Sequence, residues 1–193
     1  MMDAAATTAY AGIGSRKTPL GQRELVQSIA RQLGRSGYLL RSGGADGADT
    51  WFDEGARDVD GRRSVYLPWR GFNDVDDEDA VVFDRLPAAR QAMEIAASFY
   101  QSPYGGTWGD LKQSVRKLMA RNVMQVLGDD CASPSKFVIC WAEGTEFDGR
   151  GRILNVAGGT GQAVRVAHGH RVPVFNLALP EHARRLGRFC QAV

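Results

Sequence analysis

The residues with the clearest chemical use sit in three glycine-rich turns. Gly12-Ile13-Gly14-Ser15-Arg16 closes one apolar run, Ser42-Gly43-Gly44-Ala45-Asp46-Gly47-Ala48-Asp49 follows a second, and Gly158-Gly159-Thr160-Gly161-Gln162 opens a helical pattern. Glycine reaches backbone conformations closed to other residues and lets a ligand come close to the main chain. A helix start adds unpaired N–H groups and the positive end of the helix dipole, a combination suited to phosphate. Ser15, Ser42 and Thr160 bring hydroxyl donors, and Arg16 brings a permanent charge. One such turn is simply a tight turn, whereas three on successive crossovers predict a shared anion site. Two familiar patterns are missing. Gly12 and Gly14 lack the third glycine of GxGxxG, and no GxxxxGK[ST] occurs, so ordinary dinucleotide binding and Walker-type ATP hydrolysis both lose ground.

Other polar and aromatic residues fall around these turns. Asp46 and Asp49 would repel phosphate, but either could bond ribose hydroxyls or hold a metal bridging to phosphate. Asp49 could equally cap the helix that follows it. Trp69 and Trp141 lie at or just past strand ends, where an aromatic face could stack on a base or simply pack. His168 and His170 lack the i, i+4 spacing of two metal ligands on one helical face, and no nucleophile elbow is present, so no metal site is expected. Cys131, Cys140 and Cys190 are odd in number and without CxxC spacing, which suits reduced, mostly buried thiols.

These residues need a scaffold, and the apolar spacing supplies one. Ala9–Gly14, Tyr38–Leu40, Ser64–Leu67, Lys136–Trp141 and Val172–Leu177 read as strands. Helical patterns run from Leu20 to Gly34, from near Asp49, over about 86–100 and 110–127 with a Pro103/Gly105/Gly106 turn between, near 161–169, and over Pro180–Ala192. The acidic stretch 70–85, with Asp74, Asp76, Asp77, Glu78 and Asp79, reads as a solvated loop. Strands separated by helices imply parallel pairing through right-handed crossovers. The expected fold class is α/β, a Rossmann-like, doubly wound, mainly parallel sheet with helices on both faces, spanning residues 1–193 as one domain. In such sheets ligands sit beyond the carboxyl ends of the strands.

The bulk numbers agree. At 193 residues, 44% hydrophobic and 24% charged, the chain can bury an ordinary core. Lys and Arg number 24 against 22 Asp and Glu, so no global field favours nucleic acid or membrane. Met1–Thr8 lacks the basic start and long apolar stretch of a secretion signal, and a cytoplasmic protein is expected.

At the turns the sequence resembles the SLOG superfamily of nucleotide-binding Rossmann-like proteins, and within it the bacterial and phage branch related to YspA. The resemblance rests on Ser42–Asp49 (SGGADGAD), Tyr66-Leu67-Pro68-Trp69, Gly158–Ala163 (GGTGQA) and Val172–Asn176, and spans about Tyr10 to Leu177. It implies a bound nucleotide and a homodimer. The LOG-type phosphoribohydrolases of this group carry PGGxGTxxE preceded by an Arg-Lys pair. Here Ala157–Arg165 aligns with that signature, placing Arg165 where the glutamate would be, and Arg121-Asn122 resembles the basic pair, with Arg121 implied to meet a phosphate. A glycosidase needs a carboxylate to support the oxocarbenium charge or activate water. Glu143, Glu146 and Asp46 are the substitutes at hand. The DNA-processing protein A family is a further relative, with a similar Arg-Asn element. Arg165, Arg171, Arg184, Arg185 and Arg188 would be its DNA contacts here. The sequence thus predicts a nucleotide or nucleotide-derived small molecule as ligand, held without turnover, ahead of N-glycosidic cleavage and of single-stranded DNA binding.

Overall fold

A computed structural model describes residues 8–75, 78–102 and 104–191. The expectations placed on Met1–Thr7, Asp76, Asp77, Pro103 and Ala192 lie outside these residues. Six strands form one parallel sheet: β1 (Ala9–Gly14), β2 (Leu39–Ser42), β3 (Arg63–Leu67), β4 (Ala80–Val82), β5 (Val138–Trp141) and β8 (Val174–Asn176), in the order β4-β3-β2-β1-β5-β8. A two-stranded antiparallel hairpin, β6 (Glu146–Phe147) and β7 (Ile153–Asn155), stands apart from it. The helices are α1 (Arg23–Arg35), α2 (Ala48–Arg57), α3 (Ala89–Ser98), α4 (Gln113–Leu127), α5 (Gly159–Gly169) and α6 (Pro180–Gln191).

Side chains alternate across each strand, so the central strands feed two cores. On one face Tyr10, Leu40 and Ile139 pack against Val26, Ile29, Ala30 and Leu33 of α1 and Phe52 of α2. On the other, Ala11, Ile13, Val138 and Cys140 meet Ala120, Val123 and Met124 of α4 and Val164 and Ala167 of α5. The α1 contacts recur at i, i+3, i+4 and i+7, the stripe of a helix laid on a sheet. Each large apolar side chain removed from water in this way contributes about 1.5–3 kcal/mol.

The chain winds outward from β1 through β2 and β3 to β4, then returns to lay β5 on the other side of β1. β1 and β5 are therefore the pair at which strand order reverses. Their carboxyl ends diverge into connections on opposite sides, leaving a crevice. Gly14 and Trp141 are partners at that end of the register.

Three local expectations need correction. The helix expected from Leu20 begins at Arg23, because Leu20–Gln22 winds as a 3-10 turn, and Leu20 is 73% exposed rather than part of the apolar stripe. The stretch 70–85 is more than a solvated loop, since Phe72 and Phe83 are buried and Ala80–Val82 pairs with β3 as the edge strand. The glycine-rich stretch 144–161 contains the β6–β7 hairpin.

Candidate functional site

The crevice is built first from the end of β1. Ser15 N–H donates to Trp141 O at 3.0 Å and Gly14 N–H to Asp49 Oδ1 at 3.0 Å, which ties this turn to β5 and α2. The Ser15 hydroxyl accepts from Lys17 N–H at 3.0 Å. α1 starts only at Arg23, after the 3-10 turn Leu20–Gln22, so this turn does not run directly into a helix, contrary to the expected strand-to-helix cradle. What this turn offers is charge. Arg16 and Lys17 are exposed at the mouth, and the Arg16 guanidinium lies 6.0 Å from the Phe72 ring centre.

The Ser42–Asp49 turn has a different use. A Cβ on Gly43 would fall on the Arg121 guanidinium and lie 2.8 Å from Asp49 Oδ2. At Gly47, φ is +86°, and a Cβ would sit 2.7 Å from Ser15 O. The two glycines let this turn close against Arg121 and against the first turn. Ser42 is fully buried and its hydroxyl donates to Gly12 O at 2.9 Å and to Asp49 O at 3.3 Å. Asp49, 2% exposed, accepts from Gly14 N–H, from Ala45 N–H at 3.4 Å and from Arg121 Nη1 at 3.3 Å. It is thus neither the residue preceding α2 nor a free ligand contact: it is the tie that joins two turns to α4. Burial raises its carboxyl pKa and lowers that of the Arg121 guanidinium, and the attraction between the two opposes both shifts.

At α5 the chain is open. Gly158, at φ +72°, precedes the helix, and a Cβ on Gly158 or Gly159 would meet nothing within 4 Å. The first amides of α5 and the Thr160 side chain therefore border empty space at the positive end of an 11-residue helix. Asn122 on α4 fixes this end by donating to Gln162 Oε1 at 3.1 Å and to Gly159 O at 3.4 Å. Arg165 turns away from it, donating to Phe99 O at 3.0 Å and to Asn155 Oδ1 at 2.6 Å.

Between these pieces lies a cavity of about 490 Å³, within the usual range for small-molecule sites. Exposed Arg16 and Lys17 and the α5 start border it, and its apolar lining includes Leu118 and Met119 of α4 and Trp141 of β5. Arg121 and Gln125 also line it, and Glu143 stands exposed at the rim. Arg121 Nη1 donates to Gln125 Oε1 at 2.8 Å, while Arg121 Nε and Gln125 Nε2 are buried without any acceptor among the described residues. Each such orphaned donor costs about 1–3 kcal/mol.

The expected residues divide accordingly. Gly14, Ser15, Arg16, Ala45, Asp49, Arg121, Asn122, Trp141, Gly158, Gly159 and Thr160 border this one cavity. Others do not. Gly12 lies inside β1 under Phe52 and Leu40, and Ser42 and Gly43 are buried in the scaffold. Gly44 packs near Leu67 and Val65, and Asp46 is exposed away from the cavity. Gly161 closes α5 onto Val156 O, and Gln162 is buried behind Asn122. Trp69 sets its ring edge-on to Phe72, at 5.2 Å, in a separate apolar cluster. Gln125 was not expected. Its signal is a single amide inside the run Val123-Met124-Gln125-Val126-Leu127, where a solvent-facing residue would break the stripe. Of the candidate carboxylates, Glu143 alone reaches the rim, while Glu146 bonds Asn155 on the hairpin. Among the described residues no group of three or more His, Cys, Asp or Glu could hold a metal ion, and no helix is long and apolar enough to cross a membrane.

The sheet order and the crevice at its switch point define a Rossmann-like α/β fold. Solved structures share it. DNA processing protein A from Helicobacter pylori, described for its single-stranded DNA binding mode, superposes with a TM-score of 0.52 at 18% identity. The match covers 88% of this chain but only 64% of that one, so the chain spans less than two thirds of that protein's length. The molybdenum cofactor carrier protein of Chlamydomonas reinhardtii gives 0.53 at 16% identity, over 91% of this chain and 80% of the other. At these identities the likeness is one of fold. No family model and no curated protein sequence matches the chain.

Proposed function

We propose that the chain binds a nucleotide or nucleotide-derived molecule in the crevice beyond β1 and β5, as a sensing or sequestering protein. The observation that carries this reading is the meeting of the α5 N-terminus at Gly159 and Thr160 with the exposed cations Arg16 and Lys17 along one cavity. A phosphate there would gain charge-assisted hydrogen bonds and the helix dipole together. The ring of the ligand would lie against Trp141, Leu118 and Met119.

Turnover is not part of the proposal. Arg165, where the LOG-type signature has its glutamate, is engaged with Phe99 and Asn155 outside the cavity, and Glu143 is exposed at the rim. Chromatography of nucleoside monophosphates incubated with saturating protein should show no released base; release abolished by Glu143→Gln would replace the binding reading with a hydrolytic one.

The main test is thermal unfolding against a panel of nucleotides and ADP-ribose derivatives. A ligand at 100 times its dissociation constant adds about 2.7 kcal/mol, or roughly 5–10 °C for a chain of this size. A flat response across the panel would remove the proposal. Salt-sensitive retention on single-stranded DNA, lost on replacing Arg184, Arg185 and Arg188, would favour the DNA reading instead.

A further inference from the structure

The two arginines that border the cavity share one aromatic ring. The Arg16 guanidinium lies over Phe72 at 6.0 Å from its ring centre, and that of Arg121 at 5.9 Å. They differ in what else holds them. Arg121 is 6% exposed and pairs with Asp49 at 3.3 Å. Arg16 is exposed, and among the described residues its guanidinium has neither a hydrogen-bond acceptor nor a carboxylate partner. The ring is its one support.

That ring is itself fixed, from the connection between β3 and β4. Phe72 is 4% exposed and packs with Ala45, Val65 and Leu67. Trp69 meets it edge-on at 5.2 Å. On one side Gly71 turns the chain at φ +73°; on the other Asn73, at φ +50°, donates from Nδ2 to Gly44 O at 3.0 Å. The connection is thus tied to the Ser42–Asp49 turn, and Phe72 does not itself line the cavity.

The face of an aromatic ring attracts a guanidinium within about 6 Å of its centre. Unlike a salt bridge, this contact neutralises no charge and uses no N–H donor, so Arg16 is steadied while its donors stay available. An arginine ordered in advance loses less side-chain freedom when it clamps a phosphate. Building on the nucleotide reading above, we propose that Phe72 is a positioning residue of the site: its ring holds Arg16 ready for the ligand phosphate and strengthens binding without touching the ligand.

Calorimetric titration with AMP, GMP, CMP and UMP, run as a double-mutant cycle, tests this. For the nucleotides that bind, Phe72→Leu should weaken affinity about threefold to fivefold in the wild-type background. In an Arg16→Gln background the same change should cost less than about 1.5-fold, because the residue through which the ring acts is gone. A merely structural role would weaken binding in both backgrounds alike. Should Phe72→Leu fail to fold, Phe72→Met, which fills the space without a ring face, takes its place in the cycle. Equal losses in the two backgrounds, or no loss in the wild type, would overturn the positioning role and leave the nucleotide reading standing. Binding of none of the four by the wild-type protein would overturn both.

Discussion

The Ser42–Asp49 turn and the start of α5 are made of the same residue types, yet one is closed and the other open. In the first, Gly43 and Gly47 let the guanidinium of Arg121 and the backbone of Ser15 approach, and Asp49 binds three neighbours. In the second, Gly158 and Gly159 border space that no other residue fills. Glycine permits close approach in both places; what approaches is the protein itself in one and would be a ligand in the other. The comparison separates residues that hold the crevice in shape from residues that leave it accessible, and substitutions should divide along that line.

The largest effect is expected at Gly43. Gly43→Ala puts a methyl group where the Arg121 guanidinium lies and breaks the buried pair with Asp49, costing about 3 kcal/mol in chemical denaturation. Asp49→Asn keeps the shape but leaves the buried guanidinium uncompensated, a loss of about 2–3 kcal/mol that a compensating Arg121→Met should partly recover. Gly159→Ala is the counterpart: with nothing within 4 Å of the new Cβ, stability should change by less than about 0.5 kcal/mol. Nucleotide affinity should nonetheless fall about tenfold, equivalent to 1.4 kcal/mol, because the methyl group occupies the approach to the α5 amides. Equal stability losses at Gly43 and Gly159 would erase the distinction.

The smallest effect concerns the hairpin that leads into α5. Asp148 accepts from His168 Nε2 at 3.0 Å, from the Arg150 and Arg152 amides at 2.9 Å each and from Arg152 Nε at 2.8 Å, so its carboxyl pKa is held well below the usual range, chiefly by the His168 bond. A depressed carboxylate stabilises the fold above its unfolded pKa and loses that contribution as pH falls through the folded value. The melting-temperature difference between wild type and Asp148→Asn should therefore be present at about pH 5 and shrink below about pH 4. A difference that grows on acidification would contradict this role.

Much of the scaffold was legible in the sequence because strands buried on both faces leave apolar runs bounded by glycine or proline. Ala9–Gly14 and the strand ending at Trp141 are of this kind. β4 was not, since it is three residues long, too short to set a period, and lies at a sheet edge beside an acidic stretch. The β6–β7 hairpin was hidden for a similar reason, with strands of two and three residues. For the crevice, spacing located the α5 start and Arg16. It could not tell that Gly43 and Asp49 close on Arg121, because that residue lies 72 positions from Asp49 in the chain.

Amide shifts of ¹⁵N-labelled protein titrated with GMP test the central claim most directly, because they read both turns in one experiment. The account predicts that the Gly159 and Thr160 resonances move first and saturate with the ligand, while those of Gly43 and Gly44 stay nearly still. Unmoved Gly159 and Thr160 signals at millimolar GMP, or a binding response centred on Gly43 and Gly44, would contradict it.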